Sequence, residues 1–232
     1  MKITCHMIMS VDGRLLPKYW SPLYNASSSV TEVYEAADAK LSADGWIVGR
    51  KTMAEYGADV VEEKEPMEGH KTMQTNTFIG KREGRPLAVV FDIQGRLHYK
   101  SPTLPSGEHI VAVLGSHVTR AYQKELEEIG VSYIMRTPGS KLEETQSALK
   151  HLEHDFNVKH MLLEGGAITC GNFLQMGLVD ELSMIVYPGL DGESGHPSVI
   201  ECQGVVEPLK KNRLELIDCE TVGSGYVWLR YN

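Results

Sequence analysis

The chain has 232 residues, 42% hydrophobic and 23% charged, with 31 Asp and Glu against 23 Lys and Arg for a net charge of −8. This is the composition of a soluble globular protein long enough to bury a substantial core. The acidic balance and the lack of any sustained basic tract argue against a nucleic-acid or anionic-membrane surface, and no apolar run reaches the length of a membrane span.

Cys5, Cys170, Cys202 and Cys219 are scattered and form no CxxC pair. Neither a zinc ribbon nor a redox pair is signalled, and no metal is expected. Lys2 leads directly into a strand pattern and not a secretory leader, so a reducing, cytoplasmic setting is expected.

Ile3 to Met9 reads as a first strand, ending at Ser10-Val11-Asp12-Gly13-Arg14, where Asp-Gly marks a turn. Residues 17–29 form a polar and aromatic loop. Its Trp20, Tyr24 and Asn25 could stack on and hydrogen-bond a planar ligand, or cover a core edge. Val30 to Leu41 has helical spacing, with Ser28 or Ser29 as N-cap and Glu32, Glu35 and Asp38 facing water. Trp46-Ile47-Val48 is a short buried strand running into Gly49-Arg50-Lys51-Thr52-Met53, a strand-to-helix junction. Residues 59–85 are charged and broken by Pro66, Gly69, Gly80 and Gly84, and read as a long loop with one short element.

Strands follow at 86–92, 109–114, 131–135 and 158–163, with helices at 119–129 and 142–154. After Leu163 come Glu164, Gly165 and Gly166, then a helical pattern through Ile168, Phe173, Leu174 and Leu178. Asp180 to Tyr187 is a strand, residues 189–208 are loop-like around GESGHP, and alternating runs either side of Gly223-Ser224-Gly225 predict a hairpin. The order predicts an α/β fold over residues 1–232 as a single domain. Its sheet is mixed and mostly parallel, flanked by helices and closed by a C-terminal antiparallel hairpin.

Ligands of open α/β sheets gather outside the carboxyl ends of the strands. Asp12-Gly13, Gly49 to Thr52, Asp92 and Glu164-Gly165-Gly166 all fall there. Two of these are glycine-bearing helix starts, which suit a diphosphate, and Arg50 and Lys51 add cationic donors. GxGxxG and GxxxxGK[ST] are absent, against a standard Rossmann site or a P-loop. Asp12 has two readings, a turn cap or a functional acid. Glu164 likewise is a functional acid or a partner of the following turn.

Gly49-Arg50-Lys51-Thr52-Met53 resembles the GRxT motif of dihydrofolate reductases, and Gly165-Gly166-Ala167-Ile168 resembles that family's Gly-Gly turn, often joined by a cis peptide. Ser10 to Arg14, PLAVVFDIQGR at 86–96, Glu164-Gly165-Gly166 and the Phe173 to Leu182 segment are similar to the reductase domain of bacterial riboflavin biosynthesis proteins. That branch reduces 5-amino-6-(5-phosphoribosylamino)uracil with NADPH. The resemblance implies a dihydrofolate-reductase-like domain and an NADPH-dependent oxidoreductase acting on a small molecule, with a homodimer expected.

It implies cofactor contacts at Ile8, Gly49, Arg50, Lys51, Thr52, Ile93, Gly165, Gly166, Ala167, Ile168, Thr169 and Asn172. Arg50 would meet the 2′-phosphate. Asp12 and Glu164 are implied as catalytic acids, with a carboxylate pKa raised by burial beside the nicotinamide. Trp20, Asn25 and Glu164 are the expected substrate contacts.

The chain departs from the pattern in three ways. It has no HxE with PCxxC deaminase signature, its 59–85 segment and Trp20 loop differ, and no basic residue for the substrate phosphate can be placed. Alternatives are a dihydrofolate reductase using Glu32 or Glu35, a non-catalytic nucleotide-binding module, and a flavin-binding protein stacking Trp20 and Tyr24.

Overall fold

A computed structural model describes residues 1–23, 28–57, 60–63, 77–204, 209 and 213–232. In chain order its elements are β1 (Lys2–Ser10), α1 (Val30–Leu41), β2 (Gly45–Gly49), α2 (Arg50–Tyr56), β3 (Val60–Glu62), β4 (Leu87–Phe91), β5 (Leu97–Tyr99) and β6 (His109–Leu114). They continue with α3 (Arg120–Ile129), β7 (Ser132–Met135), α4 (Lys141–Asp155), β8 (His160–Leu163), α5 (Ala167–Gln175), β9 (Glu181–Tyr187), β10 (Leu216–Val222) and β11 (Tyr226–Tyr231). The α/β class is as expected: mostly parallel strands, flanking helices and an antiparallel C-terminal hairpin. The chain divides into two compact units, residues 44–159 with Met1, and residues 2–43 with 160–232.

In the first unit the strands run in the order β2-β4-β6-β7, all parallel. Leu87 to Val90 and Ile110 to Leu114 are almost wholly buried, the continuous apolar run expected of parallel strands covered on both faces. Tyr122 and Leu126 of α3 pack onto this core with Met53, Leu97 and Leu114. The α3 helix is closed at both ends. The Thr119 side chain accepts from Tyr122 N, and Gly130 takes a left-handed conformation at the C-terminus. The loop expected at 59–85 begins with β3, which pairs antiparallel with β5. The β3 strand falls where one short element is expected, whereas β5 was not legible, because three residues are too few to show a period.

In the second unit the order is β10-β11-β9-β1-β8. The β1 strand is parallel to both β8 and β9, so antiparallel pairing begins only at β11. Neighbouring residues of a strand point to opposite faces. His6 stacks on Tyr34 of α1 at 4.4 Å, whereas Cys5 meets Cys170 of α5, so the two helices cover opposite faces of β1. Glu181, buried between strands, is bracketed by Lys2 at 2.6 Å and Arg230 at 2.7 Å. Burial works to raise its pKa, but the two cations hold it below the ordinary value.

Among the described residues each unit buries one histidine in a strand, His6 in β1 and His109 in β6. Burial pushes both imidazoles down from 6.5 to about 4, with Arg82 and Arg85 adding to the effect at His109. The unfolded chain takes up these protons near pH 6.5, whereas the folded protein refuses them until near pH 4. Unfolding free energy should therefore fall as pH drops through that window, by roughly 1.4 kcal/mol per pH unit for each histidine. Denaturant titrations across pH 4–7 should show this slope, and His6→Asn should make it shallower.

Candidate active site

The register of β1 sets the levels of the functional groups in the second unit. Cys5 pairs with Leu163 and Ser10 with Tyr187, so β8 ends early and β9 continues. Glu164 emerges level with His6, and the chain after β9 emerges beside Ser10. Four residues separate these levels, about 13 Å along the strand. Asp12 and Glu164, paired as acids in the sequence, stand at different depths.

At the lower level, Glu164 leads into Gly165 and Gly166, whose peptide bond is cis as the resemblance implies. Gly165 has φ +127°, a conformation that side chains disfavour. Gly166 is the N-cap of α5 and brings no side chain to it, while its carbonyl accepts from the Thr169 and Cys170 N–H groups. Thr169 N–H is therefore spent within the turn, and no side chain of the N-cap competes for the Ala167 and Ile168 N–H groups at the positive end of α5. Ile168 is exposed, and Thr169 and Asn172 are half-buried beside this turn. Behind Glu164 stands Tyr34, whose hydroxyl donates to the His6 carbonyl at 2.9 Å. Burial, reinforced by the Glu164 charge, pushes the Tyr34 phenol well above its ordinary value. Ile8 lies one alternation further along β1, half-buried and paired with Ile185.

At the upper level, the sequence expectation for Asp12 is corrected. Its carboxylate accepts from the Ser10 hydroxyl at 2.6 Å, Gly192 N at 2.8 Å and Asp191 N at 3.1 Å. Those hydrogen bonds, Ser10 foremost, hold its pKa far below the carboxylate range, so Asp12 is an ionised anchor and not an acid poised to donate. The segment it anchors folds back along residues 11–15, with Val11 N on the Gly189 carbonyl, Leu15 N on Pro197 and Val199 N on Gly13.

Trp20 is corrected too. It is 8% exposed and packs against Tyr187 with ring centroids 4.8 Å apart, the core-covering one of its two readings. Tyr24 and Asn25 lie outside the described residues. Glu32 closes a capping box with Ser29, and Glu35 is exposed, so neither is the buried helix acid that a dihydrofolate site needs.

In the first unit, Gly49 is the N-cap of α2, again without a side chain, followed by exposed Lys51 and half-buried Thr52. Arg50 is ion-paired with Glu62, and Arg96 reaches the same carboxylate at 3.2 Å. Partial burial and the neighbouring Arg96 lower the Arg50 pKa, against the pull of Asp92. Asp92 is fully buried and accepts from Arg96 N at 2.6 Å and Leu97 N at 2.8 Å, so this strand-end acid ties its own turn. Ile93 follows it, half-buried, and accepts Gly115 N on its carbonyl. No group of three or more His, Cys, Asp or Glu suited to a metal occurs among the described residues, and no helix there is long and apolar enough to cross a membrane.

Parallel strands ending in glycine-opened helices, with a C-terminal antiparallel hairpin, define an α/β fold of the dihydrofolate-reductase-like class. The chain belongs to the RibD C-terminal domain family, whose profile matches residues 1–228. Its fold is similar to that of RibD from Acinetobacter baumannii, with a TM-score of 0.65 and 20% identity over 99% of this chain and 57% of that one. The present chain thus spans little more than half the length of that protein. A pyrimidine reductase-like protein from Corynebacterium diphtheriae matches at TM-score 0.63 and 19% identity, covering 100% of this chain and 91% of that one. Rib7, the riboflavin biosynthesis reductase of Saccharomyces cerevisiae, matches at 0.62 and 15%, covering 100% and 89%.

The anchoring role of Asp12 has a pH signature. A depressed carboxylate pKa contributes stability that is present above the unfolded value, about 3.9, and is lost as pH falls below it. Asp12→Asn should lower the melting temperature at pH 7, and the gap from wild type should close on acidification below about pH 4. A gap that is constant with pH would mean that the ionised carboxylate is not what holds the loop.

Proposed function

We propose that the protein is an NADPH-dependent reductase of a phosphorylated pentosylaminopyrimidine, 5-amino-6-(5-phosphoribosylamino)uracil or a close analogue, acting in the cytoplasm. The observation that carries the reading is the Glu164-Gly165-Gly166 turn, an acid beside a helix start left uncapped by any side chain. Family membership supports an oxidoreductase that uses a nicotinamide cofactor. The uncapped turn of the second unit and, separately, the Arg50 and Arg96 guanidiniums of the first each suit a phosphate group. Each unit taken by itself offers dinucleotide contacts: within the second we assign them to Ile8, Gly165 to Thr169 and Asn172, and within the first to Gly49 to Thr52 and Ile93.

The cofactor supplies a hydride. The protein must orient the pyrimidine, which we assign to Glu164 backed by Tyr34, and must bring a proton to the opening pentose. A homodimer belongs to the same reading. Exposed Leu214, Leu216 and Ile217, at the outer strand β10, support it.

Following NADPH absorbance with the ribosylaminouracil phosphate against dihydrofolate tests the proposal, which expects turnover only with the former. Gly166→Val should remove most of the dinucleotide affinity while leaving the fold intact, because a side chain blocks approach to the backbone. Arg50→Ala should weaken NADPH about ten- to a hundredfold and NADH hardly at all. Arg50 is held by Glu62, so Glu62→Gln should move affinity the other way, tightening NADPH relative to NADH. Equal effects on both cofactors in calorimetric titrations would remove Arg50 from the 2′-phosphate.

A further inference from the structure

The loop after β9 carries a histidine that the sequence reading left without a role. His196 Nδ1 lies 2.8 and 3.0 Å from the two carboxylate oxygens of Asp191, whose side chain is wholly buried. The Tyr19 ring lies over the imidazole with centroids 4.1 Å apart, and Arg14 Nη1 donates to the His196 carbonyl at 2.8 Å. The ring is thus held by its edge, its face and its backbone. A carboxylate only accepts, so Nδ1 carries the hydrogen and Nε2 is the atom that exchanges a proton. No described residue bonds Nε2, and the side chain is 24% exposed. Carboxylate, oriented imidazole and open Nε2 make the arrangement of a general acid–base residue.

Position agrees with chemistry. The pair stands at the common carboxyl end of the parallel strands β1 and β9, where ligands of α/β sheets gather. Asp12, at the same end, spends its hydrogen-bonding capacity on Ser10 and on Asp191 and Gly192 of this same loop. Glu164 stands about four strand residues lower, roughly 13 Å away along β1. The charged and titratable groups about the ring are Asp191, Tyr19, Arg14, Lys18 on the Tyr19 ring, Asp12, and Glu193, whose N–H donates to Asp191.

We propose that His196, oriented by Asp191, is the catalytic acid that opens the pentose ring, an inference that rests on the function proposed above. Protonated Nε2 gives its hydrogen to the ring oxygen O4′ as the C1′–O4′ bond breaks, and the lone pair of the exocyclic nitrogen forms the C1′=N bond. The cationic imine then accepts a hydride at C1′ from the reduced nicotinamide, which leaves a neutral secondary amine. One proton and one hydride are consumed, and His196 regains its proton from water. Asp191 is the positioning residue.

The test compares wild type, His196→Gln, His196→Ala and Asp191→Asn by NADPH oxidation with 5-amino-6-(5-phosphoribosylamino)uracil across pH, and by dinucleotide dissociation constant. The expected result is a loss in kcat of about a hundredfold or more for His196→Gln, with dinucleotide affinity within about twofold of wild type. One ionisation should vanish from its pH profile, added imidazole should partly rescue His196→Ala, and Asp191→Asn should lose less. An active wild type whose His196→Gln variant keeps its rate and pH profile overturns the proposal alone. So does a loss of dinucleotide affinity in parallel with turnover, or a His196→Ala variant that imidazole cannot rescue. A wild type inert toward this substrate overturns the functional reading, and the acid role with it.

Discussion

The parallel pairing of β1 with β8 on one side and β9 on the other is the constraint on which the second unit depends. Its hydrogen-bond ladder sets each neighbour's level to within one residue, because a slip of one would turn every side chain to the wrong face. Cys5 and Cys170 would part, and His6 would leave Tyr34. From this register follow the two levels at which chemistry is available: Glu164 and the glycine turn opposite His6, and the loop after β9 opposite Ser10. The same ladder brings Glu181 between Lys2 and Arg230, where two cations offset the burial of one carboxylate. Removing either partner would leave that charge short of compensation in a dry site.

Acids at strand ends look alike in a sequence and behave differently in the fold. Asp12 and Asp92 both follow strands and both accept from backbone N–H groups, Asp12 from a distant loop through both oxygens and Asp92 from its own turn through Oδ2 alone. The outcomes diverge with exposure. Exposed Asp12 is pushed down by its hydrogen bonds, whereas burial outweighs the same kind of bond at Asp92 and raises its pKa. The sequence shows the acid and the turn, but not which N–H groups arrive from elsewhere.

This is the general line between what was legible and what was not. Helices with strong period and local caps were readable almost to the residue: α1 begins after Ser29, and α3 lies between Thr119 and Gly130. Strands ending in glycine were readable because apolar run and turn are adjacent in the chain. The Trp20 core contact was not, since Tyr187 is remote in sequence and loop aromatics carry no period. Nor was the Asp191–His196 pair, which sits in the loop-like stretch 189–208. GESGHP reads as a polar loop until β9 is known to be parallel to β1, because only then does the loop return over Asp12.

The helix starts divide the same way. Ser29 and Ser140 close capping boxes on α1 and α4, and Thr119 caps α3, so those first turns are satisfied by their own chain. Gly49 and Gly166 bring no side chain to α2 and α5. Glycine at an N-cap costs only roughly a few tenths of a kcal/mol against a capping side chain, so the larger local cost of Gly165 and Gly166 is the backbone entropy that two adjacent glycines lose on folding. Packing compensates at α5. Gly171 lies so close to the Glu201 carbonyl that an added Cβ would sit 2.0 Å from it, and Glu201 N donates to the Ala167 carbonyl. The segment after the His196 loop therefore clamps α5, whose N-cap brings no side chain. The loop that carries His196 and the helix that starts at the glycine turn are held by one continuous stretch of chain.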